Sequence, residues 1–124
     1  MAKILVVDDD PGNLKLAATA LGHAGHEVVA AANGAEAVAA AQAHTPDLVL
    51  MDVQMPGMDG IAALRRLRAD PRTAGIKVVA LTALAMKGDA ERLIGEGFVG
   101  YLEKPIRYKA FLASVAALLA GGNT

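Results

Sequence analysis

Asp8, Asp9 and Asp10 follow one short apolar run, Asp52 follows another, and Thr82 and Lys104 stand just past two more. Carboxylates gathered in one place repel one another and raise each other's pKa unless a cation intervenes. A hard divalent ion answers that problem. Mg²⁺ takes one or two protein carboxylates and completes its octahedron from water and phosphate. One acid is then left to act as a nucleophile, and an aspartate that attacks phosphorus becomes an acyl phosphate. Such a transfer asks for positioning and for neutralisation of the equatorial oxygens. Lys104 offers a point charge for that purpose and Thr82 a hydroxyl donor.

These side chains work together only if the chain carries separated runs to one edge. Aliphatic runs at residues 4–7, 28–31, 48–51, 78–81 and 99–102 alternate with stretches of helical composition at 13–24, 35–44, 61–69, 87–96 and 108–119. Five strand-then-helix units with near-continuous apolar strands predict a parallel sheet buried on both faces. All strands of such a sheet point one way, so residues just beyond their C-terminal ends share an edge. Ligands of open α/β sheets bind there, at the switch point of strand order. In the order 2-1-3-4-5, strands 1 and 3 are neighbours and Asp8 and Asp9 come beside Asp52. The expected fold is α/β: a single doubly wound (βα)5 domain with a five-stranded parallel sheet of order 2-1-3-4-5, flavodoxin-like. Gly25, Thr45-Pro46, Asp70-Pro71 and Gly97 fall where helices stop. Leu14, Ala17, Ala18 and Leu21 in the first helix, and Phe111, Val115, Leu118 and Leu119 in the last, form stripes that read as core.

Composition excludes several other classes. Twelve Lys and Arg against thirteen Asp and Glu leave a formal charge of -1, without the basic face that nonspecific nucleic-acid binding requires. Four aromatics, Phe98, Tyr101, Tyr108 and Phe111, are too few for a base-stacking platform. Apolar residues make up 54% of the chain, and 27 residues are alanine, a composition that folds and favours helix. The lack of cysteine removes a disulfide framework, a Cys zinc site and a Cys nucleophile. The first apolar run meets acids too early for a signal-peptide core, and the stretch 110–120, which contains Ser114, falls short of the roughly 20 residues of a membrane span. A cytoplasmic protein with no membrane and no nucleic-acid partner is expected, folded as one domain over residues 1–124 with no output module.

In order and spacing the chain resembles the receiver domain of two-component response regulators, of the stand-alone kind typified by chemotaxis and cell-cycle regulators. The matching pieces are Val7-Asp8-Asp9 with Asn13 four residues on, Leu50-Met51-Asp52 followed by Met55-Pro56-Gly57-Met58-Asp59-Gly60, Thr82-Ala83, and Lys104-Pro105. The resemblance implies that Asp52 is the phosphoacceptor, Asp9 a direct Mg²⁺ ligand and Asp8 a ligand through water, with the backbone carbonyl of Gln54 completing the protein part of the shell. It makes Thr82 and Tyr101 a switch pair, in which the hydroxyl moves toward the phosphoryl group and the ring turns inward. Lys104 would contact a phosphoryl oxygen, and the Lys104-Pro105 peptide would be cis, a form found in only about 5 to 6% of folded X-Pro bonds.

The resemblance also implies partners. A histidine kinase or a His-containing phosphotransfer protein would donate the phosphoryl group. A separate target would read the change through the face built by the fourth helix, the fifth strand and the last helix, in a monomer or a phosphorylation-dependent dimer. The protein would be no enzyme beyond its own phosphotransfer and dephosphorylation. The resemblance further implies that the residues two past the phosphoacceptor and two past the switch threonine, here Gln54 and Leu84, influence how water reaches phosphorus. An aliphatic Leu84 cannot orient a water, so self-dephosphorylation is expected to be slower than in receivers carrying an acid there.

Plainer roles account for other residues. Asp10 and Asp59 suit helix N-caps, and Pro11 suits a helix start. Gly57 and Gly60 are expected to supply φ values that other residues dislike. His23, His26 and His44 read as surface positions, and the methionines Met55, Met58 and Met86 as gap fillers. An aspartate-nucleophile phosphatase of the haloacid-dehalogenase kind is the enzymatic alternative, through Asp8 and Asp10, but Gly12 stands where that pattern wants Thr or Val. Flavin binding on the same fold needs a neutral phosphate loop after strand 1, where three acids stand. A phosphorylation-independent interaction module is the remaining alternative.

Overall fold

Alternation inside each aliphatic run decides the architecture. In the first strand Ile4 and Val6 face one side of the sheet while Leu5 and Val7 face the other, and all four are buried. A strand covered on both faces belongs in the middle of a parallel sheet flanked by helices. A computed structural model, which describes residues 2–82, 87–104 and 106–120, has this form. The elements run β1 (Lys3–Val7), α1 (Pro11–His23), β2 (Glu27–Ala31), α2 (Gly34–His44), β3 (Leu48–Asp52), α3 (Gly60–Ala69), β4 (Lys77–Thr82), α4 (Lys87–Glu96), β5 (Gly100–Glu103) and α5 (Tyr108–Leu119). The five strands pair in parallel in the order β2-β1-β3-β4-β5, the expected topology. In the central register Val7 lies beside Met51 and Asp52 beside Leu81.

Two cores sandwich the sheet. One joins Leu5, Val7, Val49, Met51, Val78 and Ala80 to Ala37 and Ala41 of α2, Ala63, Leu64 and Leu67 of α3, Leu93 of α4 and Phe98. The other joins Ile4, Val6, Leu48, Leu50, Val79 and Leu81 to Ala17, Ala20 and Leu21 of α1 and Phe111 and Val115 of α5. The contact positions of α1 and α2 are largely alanine: Ala17 and Ala20 on α1, Ala37 and Ala41 on α2. Of the expected stripes, Ala17, Leu21, Phe111 and Val115 are buried, while Leu14, Ala18, Leu118 and Leu119 lie half-buried at the margins.

The helix starts are set by side chains that accept orphan backbone N–H groups. Asp10 caps α1 through the N–H of Gly12, and Asp59 caps α3 through the N–H of Ala62. Asn33 caps α2 by accepting the Glu36 N–H, while the Glu36 carboxylate accepts the N–H of Ala32, the residue before the cap. The proline at N1 lets α1 begin at Pro11, two residues before the expected start, because the N–H it lacks is an orphan at that position anyway. Arg68 ties the far end of α3 to its neighbours by donating to the carbonyls of Ala74, Ile76 and Gly97. Its burial lowers its pKa. Gly57 has a φ of +73°, as expected, but Gly60 does not lie in the left-handed region. That expectation is corrected: a steric contact, described below, is what requires a glycine at position 60. His23 and His44 are exposed, whereas His26 is half-buried and its Nδ1 accepts the N–H of Ala2.

Candidate functional site

The C-terminal ends of β1, β3, β4 and β5 bring the acids, the hydroxyl and the lysine to one end of the sheet. Asp52 is the last residue of β3, paired with Leu81 of β4, and only 4% of its surface is exposed. Asp8, one residue past β1, is 2% exposed, while the neighbouring Asp9 is open to solvent. Oxygens of Asp8, Asp9 and Asp52 all lie within 4.8 Å of one another. Thr82, buried, ends β4. Lys104, one residue past β5, is tied to β4 by its own N–H, which donates to the Thr82 carbonyl.

Lys104 reaches between the two buried acids. Its Nζ lies 2.9 Å from Oδ2 of Asp8 and 3.0 Å from Oδ2 of Asp52. Oδ1 of Asp52 accepts the backbone N–H of Gln54 at 3.1 Å, and Oδ1 of Asp8 accepts that of Asp10 at 2.9 Å. Burial pushes the Asp52 carboxyl up to about 6 despite the opposing pull of Lys104. Asp8 adds to the rise by like-charge repulsion. Burial alone would lower the Lys104 pKa, but hydrogen bonds and charge from Asp8 and Asp52 outweigh it and the ammonium is held above its ordinary value.

The donor set suits a hard divalent cation. Oδ2 of Asp8 is fully buried, and among the described residues the Lys104 ammonium is the group that engages it. Together with the exposed Asp9 oxygen and Asp52, it presents hard anionic oxygens at one opening, as Mg²⁺ requires. Asp10 does not join them, because its side chain is engaged in capping α1. Gln54 enters through its backbone, with its side chain exposed. Tyr101, on β5, is 39% exposed and stands on the outer surface with Ile94, which is 49% exposed. The cis peptide expected at Lys104-Pro105 and the residues Ala83 and Leu84 lie outside the described residues.

Sequence reasoning missed two close approaches that shape the loop after Asp52. A Cβ on Gly60 would lie 2.4 Å from the Asp52 carbonyl oxygen and 2.8 Å from the Val53 Cα. A Cβ on Gly34 would lie 2.6 Å from the Met58 carbonyl oxygen. The Asp-Gly pair at 59–60 gave a local signal for the first, misread as a φ requirement. Nothing local marks Gly34, whose neighbour is 24 residues away in sequence.

The model of the response regulator receiver domain matches residues 4–116. The polar-differentiation response regulator DivK of Brucella anthropi is 37% identical over 116 residues, which cover 94% of each chain. Protein PilH of Pseudomonas aeruginosa is 39% identical over 121 residues, 98% of this chain and all of PilH. Among solved structures, the chemotaxis response regulator CheY4 of Vibrio cholerae has a TM-score of 0.89 at 30% identity, covering 95% of this chain and 98% of that one. Receiver domains bind Mg²⁺ in an acidic pocket, and the match runs through every strand that supplies this one. The chain therefore belongs to the response regulator receiver domains, the signalling switches of two-component systems.

Proposed function

We propose that Asp52 accepts a phosphoryl group from a histidine kinase or a His-containing phosphotransfer protein, and that the change alters affinity for a separate protein. The observation that carries this reading is the environment of Asp52. It is a buried carboxylate with its pKa raised to about 6, a lysine ammonium at 3.0 Å, and two further acids at the same opening. Raised basicity makes a carboxylate a better nucleophile, while at neutral pH and above most of it is still ionised. An Asp52 oxygen attacks phosphorus, the bond from phosphorus to the donor imidazole nitrogen breaks, and the imidazole leaves with the electron pair.

Asp9 and Asp52 would hold Mg²⁺ directly, Asp8 through water, and Gln54 by its carbonyl. When bound, the ion neutralises charge on the transferring phosphoryl oxygens. Lys104 neutralises one such oxygen from the protein side, and Thr82 donates its hydroxyl to another. Recruitment of Thr82 would favour the conformation in which Tyr101 turns inward, shifting an existing two-state equilibrium. The surface of α4, β5 and α5, with Ile94 and Tyr101 exposed, is the face that would report this change to the target. This chain spans 94% of DivK and 100% of PilH, which supports treating residues 1–124 as one receiver unit, acting in the cytoplasm as a monomer or a phosphorylation-dependent dimer.

The test is intact mass after incubation with a small acyl-phosphate donor, with and without Mg²⁺. The parent is expected to gain one phosphoryl group only with the metal, and Asp52→Asn to gain none. A gain that survives in Asp52→Asn would move the chemistry to another residue.

A further inference from the structure

The end of β3 and the start of α3 meet backbone to backbone. Gly60 is buried, its N–H donates to the Val53 carbonyl at 3.0 Å, and its Cα faces the Asp52 carbonyl across a gap that a methyl group would overfill. Both sides of this contact are anchored. Asp52 lies in the β3 ladder beside Leu81, and the Val53 N–H donates to the Leu81 carbonyl. Helix α3 is seated by Ala63, Leu64 and Leu67, each fully buried in the core, and its first turn is closed by the Asp59 cap. Since the φ of Gly60 is not left-handed, the backbone conformation alone would admit alanine. The need for glycine is the approach to Asp52.

We propose that Gly60 is a positioning residue for phosphoryl transfer: its bare Cα lets α3 press against the main chain of Asp52 and Val53 and so fixes the attacking carboxylate. The inference rests on Asp52 being the phosphoacceptor. The Asp52 side chain is aimed by two short contacts, Oδ1 to the Gln54 N–H and Oδ2 to Lys104 Nζ. A methyl at position 60 must push the Asp52 carbonyl back by about an ångström to reach ordinary contact, and a displacement of that size at a reacting group slows reaction by up to about a hundredfold. Gly57, in the same loop, is a matched contrast. It has a positive φ, but a Cβ there meets nothing within 4 Å among the described residues, so alanine strains the loop without touching Asp52.

The experiment compares Gly60→Ala, Gly57→Ala and the parent by thermal melting, by the amide resonances of Asp52 and Gln54 in metal-free protein, and by the rate of phosphoryl uptake from an acyl-phosphate donor with Mg²⁺. Gly60→Ala is expected to shift the Gln54 amide and to slow uptake ten- to a hundredfold. Gly57→Ala should lower the melting temperature while keeping the parent's Gln54 amide and uptake rate. A folded Gly60→Ala with the parent's amide shifts and rate overturns the proposal, because α3 has then yielded instead of Asp52. Should Gly60→Ala not fold, Asp59→Ala loosens the same contact by removing the α3 cap. It must then shift the Gln54 amide and slow uptake, and parental values would overturn the proposal. If the parent gains no Asp52-dependent mass, the phosphoacceptor reading fails, while the amide shifts still report whether Gly60 positions Asp52.

Discussion

Lys104 sits at the centre of the site's charge balance, 2.9 Å from one buried carboxylate and 3.0 Å from another. Removing one member of a buried charged group leaves the others uncompensated, at a cost on the order of 3 kcal/mol or more. Lys104→Met is therefore expected to destabilise the metal-free protein by about that amount at neutral pH. Addition of MgCl₂ should recover more stability in the variant than in the parent, because a divalent cation replaces the missing charge. Urea unfolding of both proteins with and without the salt measures it, and equal gains in the two would argue against a shared anionic pocket. The residues of this pocket were legible in sequence because Asp, Thr and Lys directly after aliphatic runs are positions that a parallel sheet must gather. The identity of the acid left over was legible too: Asp10 precedes Pro11, as an N-cap would, and the structure uses it as one.

The C-terminus of α3 shows how an element is ended by charge. The Asp70 carboxylate accepts the Arg72 N–H and guanidinium and the amide of Gln42 on α2, and these contacts, led by the Arg72 hydrogen bonds, hold its pKa down to about 2. A carboxyl depressed on folding contributes stability above its unfolded pKa near 3.9, and loses that contribution as pH falls through the folded value. Asp70→Asn is expected to melt below the parent at neutral pH, with the gap closing between about pH 4 and pH 2. Melting curves across that range check it, and a gap that persists at pH 2 would assign the effect to something other than ionisation. Sequence marked this helix end through Asp70-Pro71. The link to Gln42 was hidden, because it depends on α2 lying beside α3 after both have packed on the sheet.

The molecule as a whole is one sheet serving two cores, and every residue of β3 is buried between them. Leu67 belongs to one core and Leu21 to the other, and neither is exposed. Truncating either to alanine is expected to cost about 2 to 5 kcal/mol. Because the two residues lie in separate clusters on opposite faces of the sheet, the double variant should add their costs to within about 0.5 kcal/mol. It should still unfold in one transition, since both cores are built on the same strands. Urea curves followed by fluorescence and circular dichroism test this, and separated transitions would mean that the two layers fold independently.

By itself the sequence determined the order of elements, the parallel sheet and the edge at which the chemistry gathers, because apolar runs of strand length and capping residues are local signals with a fixed geometric consequence. It also determined which types of group stand at that edge. Only the tertiary structure decided how tightly those groups meet: the lysine between two acids, the fully buried Asp8 oxygen, and the elevated Asp52 carboxyl. It alone corrected Gly60 from a turn glycine to a contact glycine. The physical reason is that periodicity and capping act over a few residues, whereas burial, charge proximity and the clearance for a single methyl group depend on segments brought together from across the chain.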